Sequence, residues 1–275
     1  MRILILICFL AVQLINMTFA QLGQLPLDKV IDNIKPCIIA IEARDDTVLA
    51  IQNNDTIRYS SYGSGVIIFL DSNNVYALTN EHVVAIKNQT NNKTIRYAKN
   101  IMVSYNVKGF GAISFPAQIR KVDEDLDLVA LRVFTPKELR DSLEVLGLPV
   151  KMWQEEKFLK EGEIVLYSGY PLMLGREERN YPLTRTGMIS QLIPNQNTFL
   201  IDSFVQSGYS GSPVFVIRPL GNSFPTTWEF KFVGLTSGFP YQMVPVYQKV
   251  QYIQIPKCWS KGKSWFFSCC WGFGN

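Results

Sequence analysis

What most constrains this chain is a succession of short runs rich in Val, Ile, Phe, Tyr and Thr, set off by Gly, Asn, Asp or Pro. The first set is "CIIAIEA" (37–43), "SGVIIFL" (64–70), "VYALT" (75–79), "IMVSYNV" (101–107), "ISFPAQIRKV" (113–122) and "LVALRV" (128–133). The second is "EIVLYSG" (163–169), "TRTGMIS" (184–190), "NTFLIDSFV" (197–205), "PVFVI" (213–217) and "EFKFVGLTS" (229–237). Branched and aromatic side chains suit a pleated, half-buried surface, and the residues between the runs favour turns. Two sets of about six strands predict an all-β fold of two antiparallel six-stranded barrels with a cleft between them and few short helices. Barrel one spans about 30–134, a polar linker 135–162, and barrel two about 163–250. Helical signals are sparse. "NEHVVAI" (80–86) reads as one helical turn, and "TPKELRDSLEVL" (135–146) carries Thr135 three residues before Glu138, a capping pattern. "PVYQKVQYIQ" (245–254) reads as a strand end plus a short helix closing the domain.

The flanks differ from this body. Arg2 precedes an apolar run over 3–15, and "TFA" ends at Ala20, the pattern of a secretory signal peptide over 1–20. No later stretch approaches the length of a membrane-spanning helix. The mature domain (21–255) is therefore expected to be secreted, extracellular or in the secretory lumen. Its hydrophobic fraction of 47% and charged fraction of 18% are those of a globular chain. A net charge of +4, with scattered basic residues, points to no nucleic-acid partner. Beyond Cys8, the cysteines are Cys37, Cys258, Cys269 and Cys270. An even number in an exported chain predicts two disulfides with three possible pairings, among them a bridge from Cys37 to the C-terminal group. Asn54, Asn88 and Asn92 stand in glycosylation sequons, so the exported chain is expected to be a glycoprotein. The tail 256–275, aromatic, basic and Cys-rich, suits three roles: covering an apolar patch, touching a membrane surface, or packing on the barrel through disulfides, the last being the one favoured.

The chain has a single histidine, His82, in "LTNEHVVAI". A lone imidazole is commonly a surface or satisfied core residue, but it is also the side chain suited to acid–base work near neutrality. "SGYSGSP" (207–213) sets Ser210 between glycines. A serine hydroxyl needs an adjacent base to act as a nucleophile. It also needs a sharp turn that aims amides at a developing oxyanion, and the amides of Gly208 and Ser210 would supply that hole. "VDEDLDLVALRV" (122–133) offers the acid: Asp127 stands immediately before an apolar strand, with Asp123 and Asp125 as competitors. His82, Asp127 and Ser210 follow one another at separations of 45 and 83 residues, each beside a strand. Two facing barrels would bring the acid–base pair and the nucleophile to one cleft. The same three groups occur in other chain orders on other folds, so this order points to the two-barrel solution.

With these motifs in place, the chain resembles the trypsin-like, chymotrypsin-fold serine peptidases, closest to their high-temperature-requirement (Deg-type) and glutamyl-endopeptidase branches. The likeness lies in "YGSGVII", "ALTNEHVV", "DLDLVALRV", "EGEIVLYSGYP", "TRTGMIS", "IDSFVQSGYSGSPVF" and "FVGLTSG", in family order from about residue 36 to 250. It implies His82 as general base, Asp127 as orienting acid, Ser210 as nucleophile, Gly208 and Ser210 as oxyanion hole, and Ser237 hydrogen-bonded near the Asp. Residues 237–239, including Gly238 and Phe239, would pair with substrate backbone as an added strand. No metal or organic cofactor is required.

Several positions depart from the family pattern. Tyr209 stands where these branches carry Asn and where zymogen-activated digestive enzymes carry Asp, so activation by ion pairing to a new N-terminus is not expected. Ser212 replaces the second Gly, as in the glutamyl branch, yet Thr236 stands where that branch carries a His. Phe204, six residues before the nucleophile, would lie at the base of the specificity pocket, with Phe239 at its entrance. The expected function is a secreted serine endopeptidase cutting protein or peptide substrates after small or medium apolar residues. The alternative is a catalytically silent binding protein on the same fold.

Overall fold

In the computed structural model the strands grow from the branched and aromatic runs and extend past them. The structure describes residues 26–52, 55–70, 74–88, 91, 93–149, 152–153, 158–171, 181–204, 206–220, 227–238 and 250–254. The leader 1–20, Asn54, Asn92, Phe239 and the tail 256–275 with Cys258, Cys269 and Cys270 lie outside the described residues.

A helix, α1 (Leu27–Ile34), leads into β1 (Ile38–Gln52), β2 (Asp55–Leu70) and β3 (Val75–Asn80). One helical turn, α2 (Glu81–Val84), then a small hairpin of β4 (Ala85–Lys87) and β5 (Thr94–Tyr97) follow. The strands β6 (Asn100–Val107), β7 (Gly111–Asp123) and β8 (Leu128–Val133) complete the first barrel, closed in the order β1-β2-β3-β8-β7-β6. The second barrel uses β9 (Ile164–Gly169), β10 (Leu183–Ile193), β11 (Thr198–Asp202), β12 (Pro213–Leu220), β13 (Thr227–Thr236) and β14 (Val250–Gln254). It closes as β10-β11-β14-β13-β12-β9. Both are antiparallel throughout, so the fold is the pair of six-stranded barrels that the runs predict.

Side chains alternate across a strand, and here both faces of several strands are buried. On β3, Val75 and Ala77 point into the first barrel, while Tyr76 and Leu78 join the apolar layer between the barrels. On β8, Val129, Leu131 and Val133 face inward, and Leu128 and Ala130 face the second barrel. From the other side, β12 sends Val214 and Val216 into its own barrel and Phe215 and Ile217 into the shared layer. This two-sided burial explains why "VYALT", "LVALRV" and "PVFVI" are continuously apolar rather than alternating. The shared layer also takes Val30 and Ile34 of α1, together with Phe230, Phe232 and Leu235 of β13. It joins the barrels through one continuous apolar layer.

Three expectations are corrected. The capping pattern at Thr135 and Glu138 starts no α-helix: the chain there forms only a 3-10 stretch, Lys137–Ser142. The Thr135 hydroxyl is instead drawn to the buried Tyr105 hydroxyl, so a tertiary contact takes the group that would have capped a helix. In "PVYQKVQYIQ" the described part, 250–254, is strand β14, with no helical turn, and 245–249 lie outside the described residues. Cys37 is a free thiol buried in the layer between the barrels, not one end of a disulfide. Burial pushes its pKa up to about 12, which leaves it an unreactive apolar side chain. Asn88 closes the β4–β5 hairpin, its side-chain oxygen accepting the Asn91 N–H at 3.4 Å. Among the described residues no helix is long and apolar enough to cross a membrane.

Candidate active site

Strand β3 ends at Asn80, and α2 turns the chain so that His82 faces the start of β8. Asp127 lies at that start, in the turn that follows β7. Three bonds join the two segments before the imidazole is considered. The Asp127 carbonyl accepts the Glu81 N–H at 3.0 Å and the Asn80 Nδ2–H at 3.0 Å, and Asp127 Oδ1 accepts the His82 N–H at 2.9 Å. Asp127 Oδ2 then lies 2.7 Å from His82 Nδ1. An ionised carboxylate only accepts, so the ring proton sits on Nδ1 and Nε2 is left as the acceptor of the neutral imidazole. Asp127 adopts φ +47°, a left-handed conformation that costs a non-glycine residue about 1–2 kcal/mol. The four bonds to Asn80, Glu81 and His82 hold it there.

Asp127 Oδ2 takes a second donor, the Ser237 hydroxyl, at 2.6 Å. Burial opposes the charge on this carboxylate, whose side chain is only 14% exposed. The hydrogen bond and charge of His82, the Ser237 hydroxyl and the His82 amide outweigh burial, and the carboxyl titrates below the ordinary aspartate range. The competitors are elsewhere: Asp123 Oδ1 accepts the Leu126 N–H at 3.1 Å to close the same turn, and Asp125 is exposed.

Ser210 sits in the turn before β12. Gly208 (φ +98°) and Gly211 (φ +82°) give that turn its shape. A Cβ on Gly211 would fall 2.0 Å from the Ser64 carbonyl, so the close approach requires glycine. Ser64, in "YGSGVII" on β2, is the main anchor. Its N–H donates to the Ser210 carbonyl at 2.7 Å and its Oγ donates to the Gly208 carbonyl at 2.7 Å, while the same Oγ accepts the Tyr170 N–H at 2.9 Å. The Ser64 carbonyl accepts from Thr79 Oγ1 at 2.6 Å. With both flanking carbonyls engaged, the amides of Gly208 and Ser210 have no protein acceptor among the described residues and are available to an anionic oxygen. The Ser210 hydroxyl donates to the Ser237 carbonyl at 3.3 Å. Ser237 thus bonds Asp127 through its hydroxyl and Ser210 through its carbonyl.

Tyr209, between those two amides, does not intrude on the turn. Its ring is fully buried in the second barrel, edge-on to Tyr167 at 5.1 Å between centroids, and its hydroxyl accepts the Arg185 Nε–H at 3.0 Å.

The specificity positions differ from expectation. Thr236 does not face a substrate: it is fully buried, its hydroxyl donates to the Tyr209 carbonyl, and its own carbonyl accepts the Gly211 N–H at 2.8 Å. It braces the nucleophile turn. Phe204 is 59% exposed rather than enclosed at a pocket base, with the Arg185 guanidinium 5.2 Å over its ring. Among the described residues nothing lies within 4 Å of where a Gly238 Cβ would stand. Ser64, Tyr170 and Arg185 were given no role from the sequence. Only the "GSG" of "YGSGVII" hints at one of them, since glycines beside a strand serine allow close backbone approach. Among the described residues no cluster of three His, Cys, Asp or Glu side chains is placed to hold a metal ion.

The trypsin-like peptidase domain model matches residues 63–218, a span that contains His82, Asp127 and Ser210. The mitochondrial serine protease HTRA2 of Drosophila pseudoobscura pseudoobscura is 30% identical over 180 residues, covering 62% of this chain and 36% of that protein. HTRA2 of Drosophila persimilis is similar to the same extent, and that of Drosophila willistoni is 29% identical over 180 residues. The chain thus spans about a third of the length of these relatives. By its matched domain and its two closed barrels, the chain belongs to the trypsin-like peptidase family.

Proposed function

We propose that the chain is a serine endopeptidase that hydrolyses peptide bonds through an acyl-enzyme. Ser210 Oγ attacks the scissile carbonyl carbon as its proton passes to His82 Nε2, and the negative oxygen that forms accepts the Gly208 and Ser210 amides. His82 then protonates the departing amine, the C–N bond breaks, and water repeats the sequence to free the acyl group. Asp127 holds the ring by Nδ1 and offsets the imidazolium charge. Ser210 leaves the Ser237 carbonyl for Nε2 as substrate arrives; catalytic contacts commonly tighten only in the substrate complex.

The observation that carries this reading is the double hold of Asp127 on His82, by the backbone N–H at 2.9 Å and the ring at 2.7 Å. A histidine with only a packing role has no need of a carboxylate that sets its tautomer. For substrates we propose extended peptides cut after small or medium apolar residues. Residues 1–20 support export as the site of action.

A serine-directed fluorophosphonate probe tests the activity, and a peptide library tests the preference. Labelling of wild type but not of Ser210→Ala is expected, with cleavage mainly after Ala, Val or Leu. No labelling of either protein would establish the silent binder instead, and cutting after Lys, Arg or Glu would reject the specificity.

A further inference from the structure

The turn that carries the two oxyanion amides has a side chain of its own, Tyr209, and the second barrel grips that side chain firmly. Its ring is fully buried and meets Tyr167 edge-on at 5.1 Å, with 74° between the planes. Its hydroxyl accepts the Arg185 Nε–H at 3.0 Å and lies 3.5 Å from the Leu183 carbonyl. Arg185 and Tyr167 are register partners on the adjacent strands β10 and β9, so the two groups that hold the ring are themselves fixed by a sheet.

The same pair also holds the far end of the loop. The Tyr167 hydroxyl donates to the Phe204 carbonyl at 2.7 Å, and the Arg185 guanidinium lies 5.2 Å over the Phe204 ring and 6.0 Å from the Tyr209 ring, within cation–π range. Among the described residues the guanidinium meets no carboxylate: its charge is spent on two rings and one phenol oxygen.

Given the peptidase reading above, we infer that Arg185 is a positioning residue that, through the Tyr209 hydroxyl, sets the turn 208–210 so that the Gly208 and Ser210 amides converge on the oxyanion. The physical reason is leverage. Tyr209 lies between the peptide that carries the Ser210 N–H and the peptide whose Gly208 carbonyl Ser64 holds, so fixing its ring sets the Ser210 donor directly and Gly208, one bond further on, through the shared turn. A buried ring on a flexible glycine turn needs a directional bond to choose one rotamer, and Arg185 Nε–H supplies it. This latch is built from the barrel itself and requires no acid at position 209. Among the described residues no hydrogen bond or ring contact joins Arg185 to Ser210.

The test compares Arg185→Met, Arg185→Lys, Tyr209→Phe and the double variant Arg185→Met/Tyr209→Phe in the full chain. For each, kcat and KM are measured on one peptide, with the inhibition constant of a peptide aldehyde, whose hemiacetal oxygen occupies the oxyanion site, and the melting temperature. Arg185→Met is expected to lower kcat and aldehyde affinity by about tenfold each, with KM within about twofold, because the donors act mainly in the transition state. Tyr209→Phe, which keeps the ring, is expected to match that loss. The double variant is expected to be no worse than either, and Arg185→Lys to recover most of kcat. Unchanged kcat in Arg185→Met and Tyr209→Phe, or losses that add in the double variant, overturn the latch. So does a fall in activity that tracks the melting temperature alone. A wild type with neither turnover nor probe labelling overturns the peptidase reading and the latch together, whereas an active wild type with indifferent variants overturns the latch only.

Discussion

Ser64 Oγ, on a strand of the first barrel, donates a 2.7 Å hydrogen bond to the carbonyl of Gly208, in the nucleophile turn of the second. Ser64 also holds the Ser210 carbonyl through its backbone N–H, so the turn is gripped on either side of Tyr209 by one fully buried residue. The two barrels are therefore joined at the catalytic turn by directional bonds as well as by the apolar layer behind it.

Ser64→Ala removes the hydroxyl to which the Gly208 carbonyl and the Tyr170 N–H are bonded. Losing a buried hydrogen-bond partner costs about 1–3 kcal/mol, and misaligning an oxyanion donor costs on the order of 10- to 100-fold in kcat. Peptide hydrolysis and chemical denaturation measured on the same preparation check both figures. Full kcat in a destabilised variant would limit Ser64 to a structural role.

Asp127→Asn keeps the shape of the acid but exchanges an acceptor for a group that also donates. The amide favours the imidazole tautomer protonated on Nε2, which cannot take the Ser210 proton, and kcat is expected to fall by about 10³- to 10⁴-fold. The same variant reports on acid stability. Because the Asp127 carboxyl titrates below its ordinary value in the folded protein, its contribution is fully present above the unfolded aspartate pKa and disappears as the pH falls through the folded one. From about pH 5 down to pH 2, wild type is expected to lose stability more steeply than Asp127→Asn. Parallel denaturation curves across that range would refute the assignment.

Gly211→Ala places a methyl group where the Ser64 carbonyl already stands, on a backbone with φ +82°. The clash is with backbone, which cannot swing aside. A loss of about 2–4 kcal/mol is expected, along with most of the activity, because the turn moves with the strain. The urea midpoint measures the first and probe labelling the second. A variant as stable and as reactive as wild type would show that the close approach is not required.

Much of this protein was legible in its sequence because the relevant signals are local. Strand formation is written in runs such as "VYALT" and "PVFVI", where branched residues and flanking turn formers act over a few positions. The catalytic candidates were legible too: one histidine, a serine in "GYSG", and an aspartate before an apolar strand, in an order suited to two barrels. Even Ser237 was placed beside the acid, where its hydroxyl lies 2.6 Å from Asp127 Oδ2.

Other features were settled only when distant segments met. The choice among Asp123, Asp125 and Asp127 depended on which carboxylate the β7–β8 turn points at α2. The helix expected from Thr135 lost its cap to Tyr105, 30 residues away. The short hairpin of β4 and β5 had too few residues to leave a pattern. Thr236 turned inward to brace Tyr209, and Phe204 remained in solvent under Arg185. Above all, the bonds from Ser64 to Gly208 and from Tyr170 to Ser64 span 144 and 106 residues of chain. Local pattern reports what a residue does with its near neighbours, whereas a hydrogen bond across a barrel interface exists only once both barrels have closed and packed.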